Sequence, residues 1–155
     1  GRALVAVLSP LPGLHLTWID TDAARFPEVP QGVTQRIVAN PADLVAEAPR
    51  GAEHLVLTFS HALDLELCHR LLGHGFAQLG LIGSDTKWAR FRSRLASLGH
   101  PPAQISRIRC PIGQKGLGKY PQAIAVGVAC DVLTTQNNKT ETGSGHNSEG
   151  RAAGP

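Results

Sequence analysis

Segments typical of buried strands alternate with helical segments along most of this chain, and this alternation limits the possible folds more than any other feature of the sequence. The predicted strands are Leu14–Asp20, Thr34–Ala39, His54–Phe59, residues 76–83 and Ile105–Cys110. The predicted helices are Gly1–Leu8, a helix opening at Pro41, one after Ser60, one after Ser84, and Pro121–Leu133. Short crossovers between such strands give a mainly parallel sheet covered by helices on both faces. We therefore predict a three-layer α/β domain.

The composition predicts one domain followed by a tail. The chain has 155 residues, of which 42% are hydrophobic and 17% charged, enough for one globular core. We assign residues 1–135 to the domain and 136–155, which are polar and glycine-rich, to a disordered tail. The net charge is +3, and the basic residues do not form a polybasic run, so a nucleic-acid partner is not predicted.

Cysteine content and hydropathy indicate the compartment. Three cysteines without paired spacing fit a reducing cytosol better than a disulfide framework. No apolar run reaches membrane-spanning length and no secretory signal is visible. We expect a cytoplasmic protein with no membrane partner.

A strand–turn–helix unit spans residues 78–95 and turns at Gly83–Ser84. The first N–H groups of the following helix have no intrahelical partners and could bind an anion. Lys87, Arg90 and Arg94 lie along one edge of this helix and form a basic stripe. That stripe indicates either an anion site or merely a solvated basic edge.

Small or polar residues follow four of the predicted strands. They are Asp20, Ser60 with His61, Gly83 with Ser84, and Cys110 through Gly113. The carboxyl ends of parallel strands meet at one edge of the sheet, where ligands of open α/β folds bind. These turns therefore predict a binding pocket.

Asp20 ends a strand roughly 20 residues after Gly1, which is where dinucleotide-binding folds place a ribose-binding carboxylate. Gly1 would then be the last glycine of a fingerprint whose strand, the first of the sheet, is missing here. The alternative is that Asp20 or Asp22 caps a turn. Because the chain opens at Gly1 without methionine, we expect a fragment or a trimmed product, the alternative being a protein that naturally lacks the first strand.

His61, Asp64 and Cys68 share one helix face. These three residues could hold a metal, but no CxxC or HxxxH spacing supports a metal site. We favour the alternative, in which His61 forms a hydrogen bond with Asp64 and Cys68 lies in the core. Cys110 has two interpretations. It is either a thiolate stabilised by Arg109, lysines and helix N-termini, or a buried structural thiol.

The segment Gly113–Tyr120 is close to the phosphate-binding pattern GxxxxGK[ST]. Tyr120 cannot supply the short hydroxyl that binds magnesium, and Pro121 removes an N–H donor. We reject nucleotide hydrolysis and retain Lys115 and Lys119 as candidate anion ligands.

Several of these segments, in this order and spacing, resemble the C-terminal domain of the XdhC/CoxF family of xanthine dehydrogenase accessory proteins. They are Thr58–Asp64, Gly80–Ser84 with Lys87, Ala89–Phe91, Cys110–Gly113, and Lys119 with Ile124–Val126. The resemblance covers residues 1 to about 135. Family members usually carry a further N-terminal domain and a GxGHVG turn before the first helix, of which only Gly1–Leu4 remains here. Phe59 also replaces a histidine that the family often has.

The resemblance implies a Rossmann-like domain that binds molybdenum cofactor and assists its sulfuration and insertion, as a factor not known to turn over substrate. The implied partners are a molybdenum hydroxylase such as xanthine dehydrogenase and a cysteine desulfurase; a homodimer is a further expectation. The candidate cofactor-binding residues are Asp20, Ser60, His61, Gly83, Ser84, Lys87, Cys110, Gly113 and Lys119. In this interpretation Cys110 could contact either the metal or a sulfur species. The alternative function is an NAD(P)-dependent oxidoreductase or dinucleotide-binding module.

Overall fold

A computed structural model describes residues 1–26 and 28–143 of the chain. It contains five strands, and every strand pair in it is parallel. The strands are β1 (Thr17–Asp20), β2 (Thr34–Ile37), β3 (Glu53–Val56), β4 (Gln78–Leu81) and β5 (Ile108–Arg109). The helices are α1 (Arg2–Leu8), α2 (His61–His74), α3 (Asp85–Ser97), α4 (Pro102–Ile105) and α5 (Pro121–Gly143). The predicted α/β class is confirmed.

The strands form two separate sheets. β1 pairs with β2, Thr17 lying opposite Thr34, while β3, β4 and β5 pair in that order. β1 and β3 therefore each have one edge that no strand covers within the described chain. Arg25 follows β1 and lies over the ring of Phe59, which follows β3, with its guanidinium carbon 4.4 Å from the ring centroid. This contact places the carboxyl ends of the two sheets on the same side.

Two apolar layers cover the sheets. One contains the inner faces of α2 and α3 with Val56, Leu79 and Leu81 of the strands. The other joins α1 to α5, with Leu8 and Val128 both buried and Leu55 packed against them. β3 alternates between the layers, since Val56 faces the first and Leu55 the second. This alternation is the geometry of a strand covered on both faces.

All five described strands are shorter than predicted, and three elements differ in a way that affects the fold. The segment Pro41–Glu47, expected as an α-helix, is a 3₁₀ helix, although Asn40 caps it as expected. β5 is shorter than the predicted Ile105–Cys110 because Pro102 starts a helical turn that includes Ile105. α5 continues to Gly143, past residue 136 where the tail was expected to start. Residues 144–155 of that predicted tail lie outside the described residues.

Candidate functional site

An ion pair lies beneath the turns that follow β3 and β4. The Lys87 ammonium is 2.7 Å from the Asp64 carboxylate, and the two side chains are 10% and 0% exposed. Asp64 also accepts a hydrogen bond from the Thr58 amide (2.8 Å), and Lys87 donates a second one to the Ile82 carbonyl (3.1 Å). Since Thr58 and Ile82 follow the two strands, the pair ties both strand ends to the starts of α2 and α3.

The two helix starts have the same construction. The Ser60 hydroxyl accepts from the Leu63 amide (3.3 Å), and the Ser84 hydroxyl accepts from the Lys87 amide (3.2 Å). Both serines are therefore N-caps, as predicted for Ser60. A Cβ on Gly83 would lie 2.5 Å from Cδ of Lys87, so any other residue there would require the Lys87 side chain to shift.

The first turn of α2 differs from that of α3 in its exposed charge. Asp85 is the first residue of α3, its side chain is 75% exposed, and its carboxylate is 3.5 Å from the Lys115 ammonium. The first turn of α2 contains only Asp64, which is buried and neutralised by Lys87. An anion would therefore meet less repulsion at α2.

His61 does not form the predicted hydrogen bond to Asp64, whose oxygens accept from Thr58 and Lys87 instead. The imidazole lies edge-on to the Phe91 ring, with centroids 6.4 Å apart. Lys87 Nζ lies 5.2 Å from the centre of the same ring. Phe91 thus links His61 to the ion pair.

Cys110 follows β5, and its peptide bond to Pro111 is cis. Burial raises the pKa of its thiol to about 11, while the nearby Lys87 ammonium lowers that pKa and Asp85 raises it. Arg109, expected to stabilise a thiolate, is 3.4 Å from Asp131 instead. The thiol is partly buried, and its raised pKa agrees better with an unreactive thiol than with a thiolate. Cys68 is fully buried in the core, as expected.

The loop after Cys110 is anchored to α5. The Gly113 amide donates to the Asp131 carboxylate (2.8 Å), and Gly113 has a positive φ of 106°. The backbone approaches closely, since a Cβ on Gly127 would lie 2.7 Å from the Gln114 amide nitrogen. Gly113 therefore has a conformational and packing role. Lys119 lies farther along the loop, where it is exposed.

A cavity of about 720 Å³ separates the two sheets. Its walls include the free edges of β1 and β3, part of α1 and part of α2. Of the nine candidate residues, all within the described chain, Asp20 alone lines it. The Asp20 carboxylate accepts from the Thr21 amide (2.7 Å) and pairs with Arg25 (3.4 Å). Asp20 therefore lines this cavity while Lys87 and Cys110 do not, although the cavity also reaches Thr58, whose amide donates to Asp64.

Two negative findings apply to residues 1–26 and 28–143. No three His, Cys, Asp or Glu side chains there are grouped so that they could hold a metal ion. No helix in this part of the chain has the length and apolar character needed to cross a membrane.

Two sets of contacts were not predicted from the sequence. Asp131 anchors the 110–114 loop, and its only sequence signal is an acid within an apolar helix. Arg25 joins Asp20 to the 63%-exposed Phe59, a contact between distant segments with no periodic signal. The sequence places Asp64 and Lys87 each in the first turn after a serine, but it carries no signal that the two residues pair.

Comparisons with known proteins identify the fold and the family. Residues 1–132 match the family model of the XdhC Rossmann domain. The chain is 30% identical over 86 residues to uncharacterized protein YqeB of Escherichia coli K12, an alignment that covers 56% of this chain and 16% of that protein.

A solved structure, titled as a xanthine dehydrogenase from Bacillus halodurans, has a TM-score of 0.71 and 22% identity to this chain. That match covers 94% of this chain but 43% of the other, and at this identity it confirms the Rossmann-like fold alone. The chain thus spans well under half of each of these two proteins. Because residues 1–132 match the family model of the XdhC Rossmann domain, this chain belongs to the XdhC family and contains the Rossmann domain of that family.

Proposed function

We propose that this domain is the cofactor-binding module of an accessory factor for a xanthine dehydrogenase-type molybdenum hydroxylase. In this proposal it binds molybdenum cofactor and assists its sulfuration and insertion. The observation that carries the proposal is the family match over residues 1–132. The parallel strands add a physical reason, because open α/β sheets bind ligands at the carboxyl ends of their strands.

The turns after β3, β4 and β5 are the proposed binding surface. Molybdenum cofactor is a phosphorylated pterin that supplies a metal and its sulfur ligands to the hydroxylase. Its phosphate fits the start of α2, where the His61 and Ala62 amides are not used by the Ser60 cap. Lys87 contributes indirectly, because it neutralises Asp64 and leaves that helix start without net negative charge.

The other candidate residues have supporting roles in this proposal. Gly83 and Ser84 shape the neighbouring turn, and the loop that begins at Gly113 reaches the start of α3 through the Lys115–Asp85 contact. Lys119 is exposed farther along that loop. Cys110 carries a proton at neutral pH because burial raises its pKa. Bonding of its sulfur to a metal would therefore release that proton, so binding through Cys110 should weaken as pH falls.

A hydroxylase and a cysteine desulfurase are the proposed partners, because sulfuration requires a sulfur donor and insertion a recipient. The exposed rings of Phe59 and Tyr120, 63% and 77% accessible, lie in turns that follow strands and are the proposed contacts. Cytoplasmic location and a homodimer remain predictions.

Binding of purified molybdenum cofactor to this chain, measured by isothermal titration, tests the proposal. We expect Cys110→Ser and His61→Asn to weaken binding at least fivefold. Cys130→Ser is the matched control, because Cys130 is exposed on α5 and should leave affinity unchanged. Equal affinities for Cys110→Ser, His61→Asn and the unmodified chain would contradict the assignment.

The second candidate is a dinucleotide-binding module, which one observation favours. Asp20 lies at the carboxyl end of β1 and shares the cavity with Gly1, just before α1. A titration with NAD and NADP separates the two candidates. This function would be favoured if the chain binds NAD or NADP with nanomolar to micromolar affinity and Asp20→Asn abolishes that binding. The chain should then show no affinity for molybdenum cofactor.

A further inference from the structure

We propose that one flank of α3 docks an acidic, amphipathic helix of a partner protein. The flank consists of Arg90, Arg94 and Leu98, which follow one another at intervals of four residues, and we call these three residues the α3 ridge. None of them is among the nine candidate cofactor residues. The inference is therefore independent of the proposed function, and it assigns a role to the two exposed arginines of the basic stripe.

The charges of the chain are segregated along the sequence. Residues 86–130 contain eight lysines and arginines and no Asp or Glu, whereas the rest of the chain contains seven lysines and arginines and twelve Asp and Glu. A segment of net charge +8 thus lies within a chain whose remainder has a net charge of −5. The cations of this segment have no acid of their own segment to pair with, so each needs one from elsewhere.

Half of these eight cations have a partner within the described residues. Lys87, Arg109 and Lys115 each pair with a carboxylate, and the Arg107 guanidinium donates to the Phe76 carbonyl (2.8 Å). The side chains of the other four make no ion pair and no hydrogen bond with any described residue, and three of the four lie within about one turn of α3. The four are Arg90, Arg92, Arg94 and Lys119.

The two arginines of the α3 ridge are unfavourable for the helix itself. Arg90 and Arg94 are neighbours on the helix surface, and like charges four residues apart destabilise a helix. On α2 the exposed Arg70 is compensated, because its guanidinium is 2.7 Å from Glu66 and 3.0 Å from Asp43. No described acid compensates Arg90 or Arg94. Helix stability therefore gives no reason for this pair, and we infer that a partner supplies the acids.

Contacts between α3 and α2 show where the ridge faces. At 100° per residue, the ridge spans an arc of about 80° that is centred close to Lys87. The Lys87 ammonium reaches Asp64 of α2, so this side of α3 is the side next to α2. Arg92 lies about 160° from the centre of that arc, on the opposite flank.

Leu98 gives the ridge an apolar end. Its side chain is 51% exposed where α3 ends. Two residues later the His100 ring bonds to His69 of α2 (2.7 Å between the ring nitrogens), which fixes this end of α3 against α2. The ridge is therefore held in place before a partner arrives, with two cations followed by one apolar group.

These positions determine the chemistry of the partner helix. Successive ridge residues are about 6 Å apart along the helix axis. A helix packed alongside matches them with two acidic residues four positions apart and an apolar residue a further four positions away. Arginine pairs with carboxylates through two parallel hydrogen bonds, which favours Asp or Glu as the acids.

A protein helix fits the ridge better than a nucleic acid or an anionic membrane does. Proteins that bind DNA tightly make about 6–10 phosphate contacts, whereas the ridge offers two cations. The net charge of −5 on the rest of the chain would also repel an extended polyanion. Leu98 lies about 20 Å along α3 from the Ser84 turn, so a helix bound there leaves the candidate cofactor turns accessible.

Fluorescence anisotropy with a labelled acidic peptide tests the proposal on this chain. The probe is an alanine-based helical peptide with two glutamates four residues apart and a leucine four residues beyond them. We expect the double variant Arg90→Gln and Arg94→Gln to weaken its binding at least fivefold. The matched control, Arg50→Gln with Arg92→Gln, removes the same charge from exposed positions and should change affinity less than twofold.

Two further measurements separate docking from general charge attraction. Leu98→Gln keeps the net charge and should weaken binding of the peptide at least twofold. In an NMR titration, the Arg90, Arg94 and Leu98 amides should shift on addition of the peptide. Val126 lies on α5, which covers the opposite face of the sheets, and its amide should not shift.

Four results would overturn the proposal. Equal weakening by the two double variants, or equal affinity for a peptide with glutamine in place of glutamate, would reduce the effect to overall charge. Tighter binding of a DNA duplex or of phosphatidylserine vesicles, lost in the Arg90 and Arg94 double variant, would assign the ridge to a polyanion. Conversion of a dimer of this chain to a monomer by the same variant would make a second copy the occupant.

Discussion

The Asp64–Lys87 pair connects sequence, packing and proposed function at the scale of single residues. Both charges are withdrawn from water, but each has a second polar partner, which is the condition under which a buried pair is tolerated. Its effect is to hold two strand ends and two helix starts in fixed relation. Loss of one partner would leave the other charge buried without compensation.

We predict that Lys87→Met lowers the free energy of unfolding by about 3–5 kcal/mol, because Asp64 would be left as an unpaired buried carboxylate. Adding Asp64→Asn should recover at least half of this loss, since the amide needs no counter-ion and can still accept from Thr58. Urea denaturation measures both. Lys115→Met, which breaks the exposed pair with Asp85, is the control and should change little. If Lys87→Met lowers the free energy of unfolding no more than Lys115→Met does, the buried pair does not stabilise the fold as described.

The cysteines should differ sharply in reactivity. Burial raises the pKa of Cys110 to about 11 and that of Cys68 to about 12, whereas Cys130 is exposed. The thiolate is the reacting species, so iodoacetamide at pH 7.5 should label Cys130 first, Cys110 slowly and Cys68 only on unfolding. Peptide mass spectrometry over time gives the order. Cys110 labelled as fast as Cys130 would show an activated thiol and refute the assignment.

His54 should make stability depend on pH. Burial and the proximity of His74 lower the pKa of His54 below 6.5, and its Nε2 lacks a hydrogen-bond partner within the described residues. The unfolded chain therefore binds the proton more readily, so His54 destabilises the fold as pH falls below 6.5 towards the folded pKa. We expect His54→Leu to lose less stability than the unmodified chain between pH 7.5 and pH 5. Urea denaturation at the two pH values measures the free energy of unfolding of both proteins. An equal decrease for His54→Leu and the unmodified chain would contradict this prediction.

At the scale of elements, the sequence predicted what local chemistry determines. The Ser60 cap, the proline at the start of α5 and Gly75 at the end of α2 each act within a few residues of their own position. β5 was predicted too long because an apolar pattern alone cannot distinguish Ile105 in a helical turn from Ile105 in a strand. The pairing of Lys87 with Asp64 required knowledge of which helices are neighbours, and no local pattern supplies that.

Two helical glycines should respond oppositely to the same change. Gly73 in α2 is exposed, and a Cβ there would meet no atom within 4 Å, so Gly73→Ala should stabilise the domain by roughly 0.5–1 kcal/mol. Gly127 in α5 is buried against the Gln114 backbone, so Gly127→Ala should destabilise it by about 1–3 kcal/mol. Chemical denaturation of both variants tests this. Stabilisation by Gly127→Ala would mean that the loop does not pack on α5 as described.

At the scale of the whole molecule, the sequence predicted the layered α/β architecture and the position of the candidate turns along the chain. It also predicted a sheet without its first strand, and the two sheets with a cavity between them agree with that prediction. It did not predict that the candidate residues divide into two regions. Asp20 lines the cavity, whereas Lys87 and Cys110 lie at the turns after β4 and β5. This division depends on contacts between segments that are distant in the sequence, and no local pattern predicts such contacts.

Hydrogen exchange with and without molybdenum cofactor measures whether the turns after β3, β4 and β5 receive that cofactor. We expect slower exchange at the His61 and Ala62 amides and around Cys110, with Ile19 and Leu55 in the cavity unchanged. Protection confined to the cavity, or no protection at a cofactor concentration that saturates binding, would contradict it.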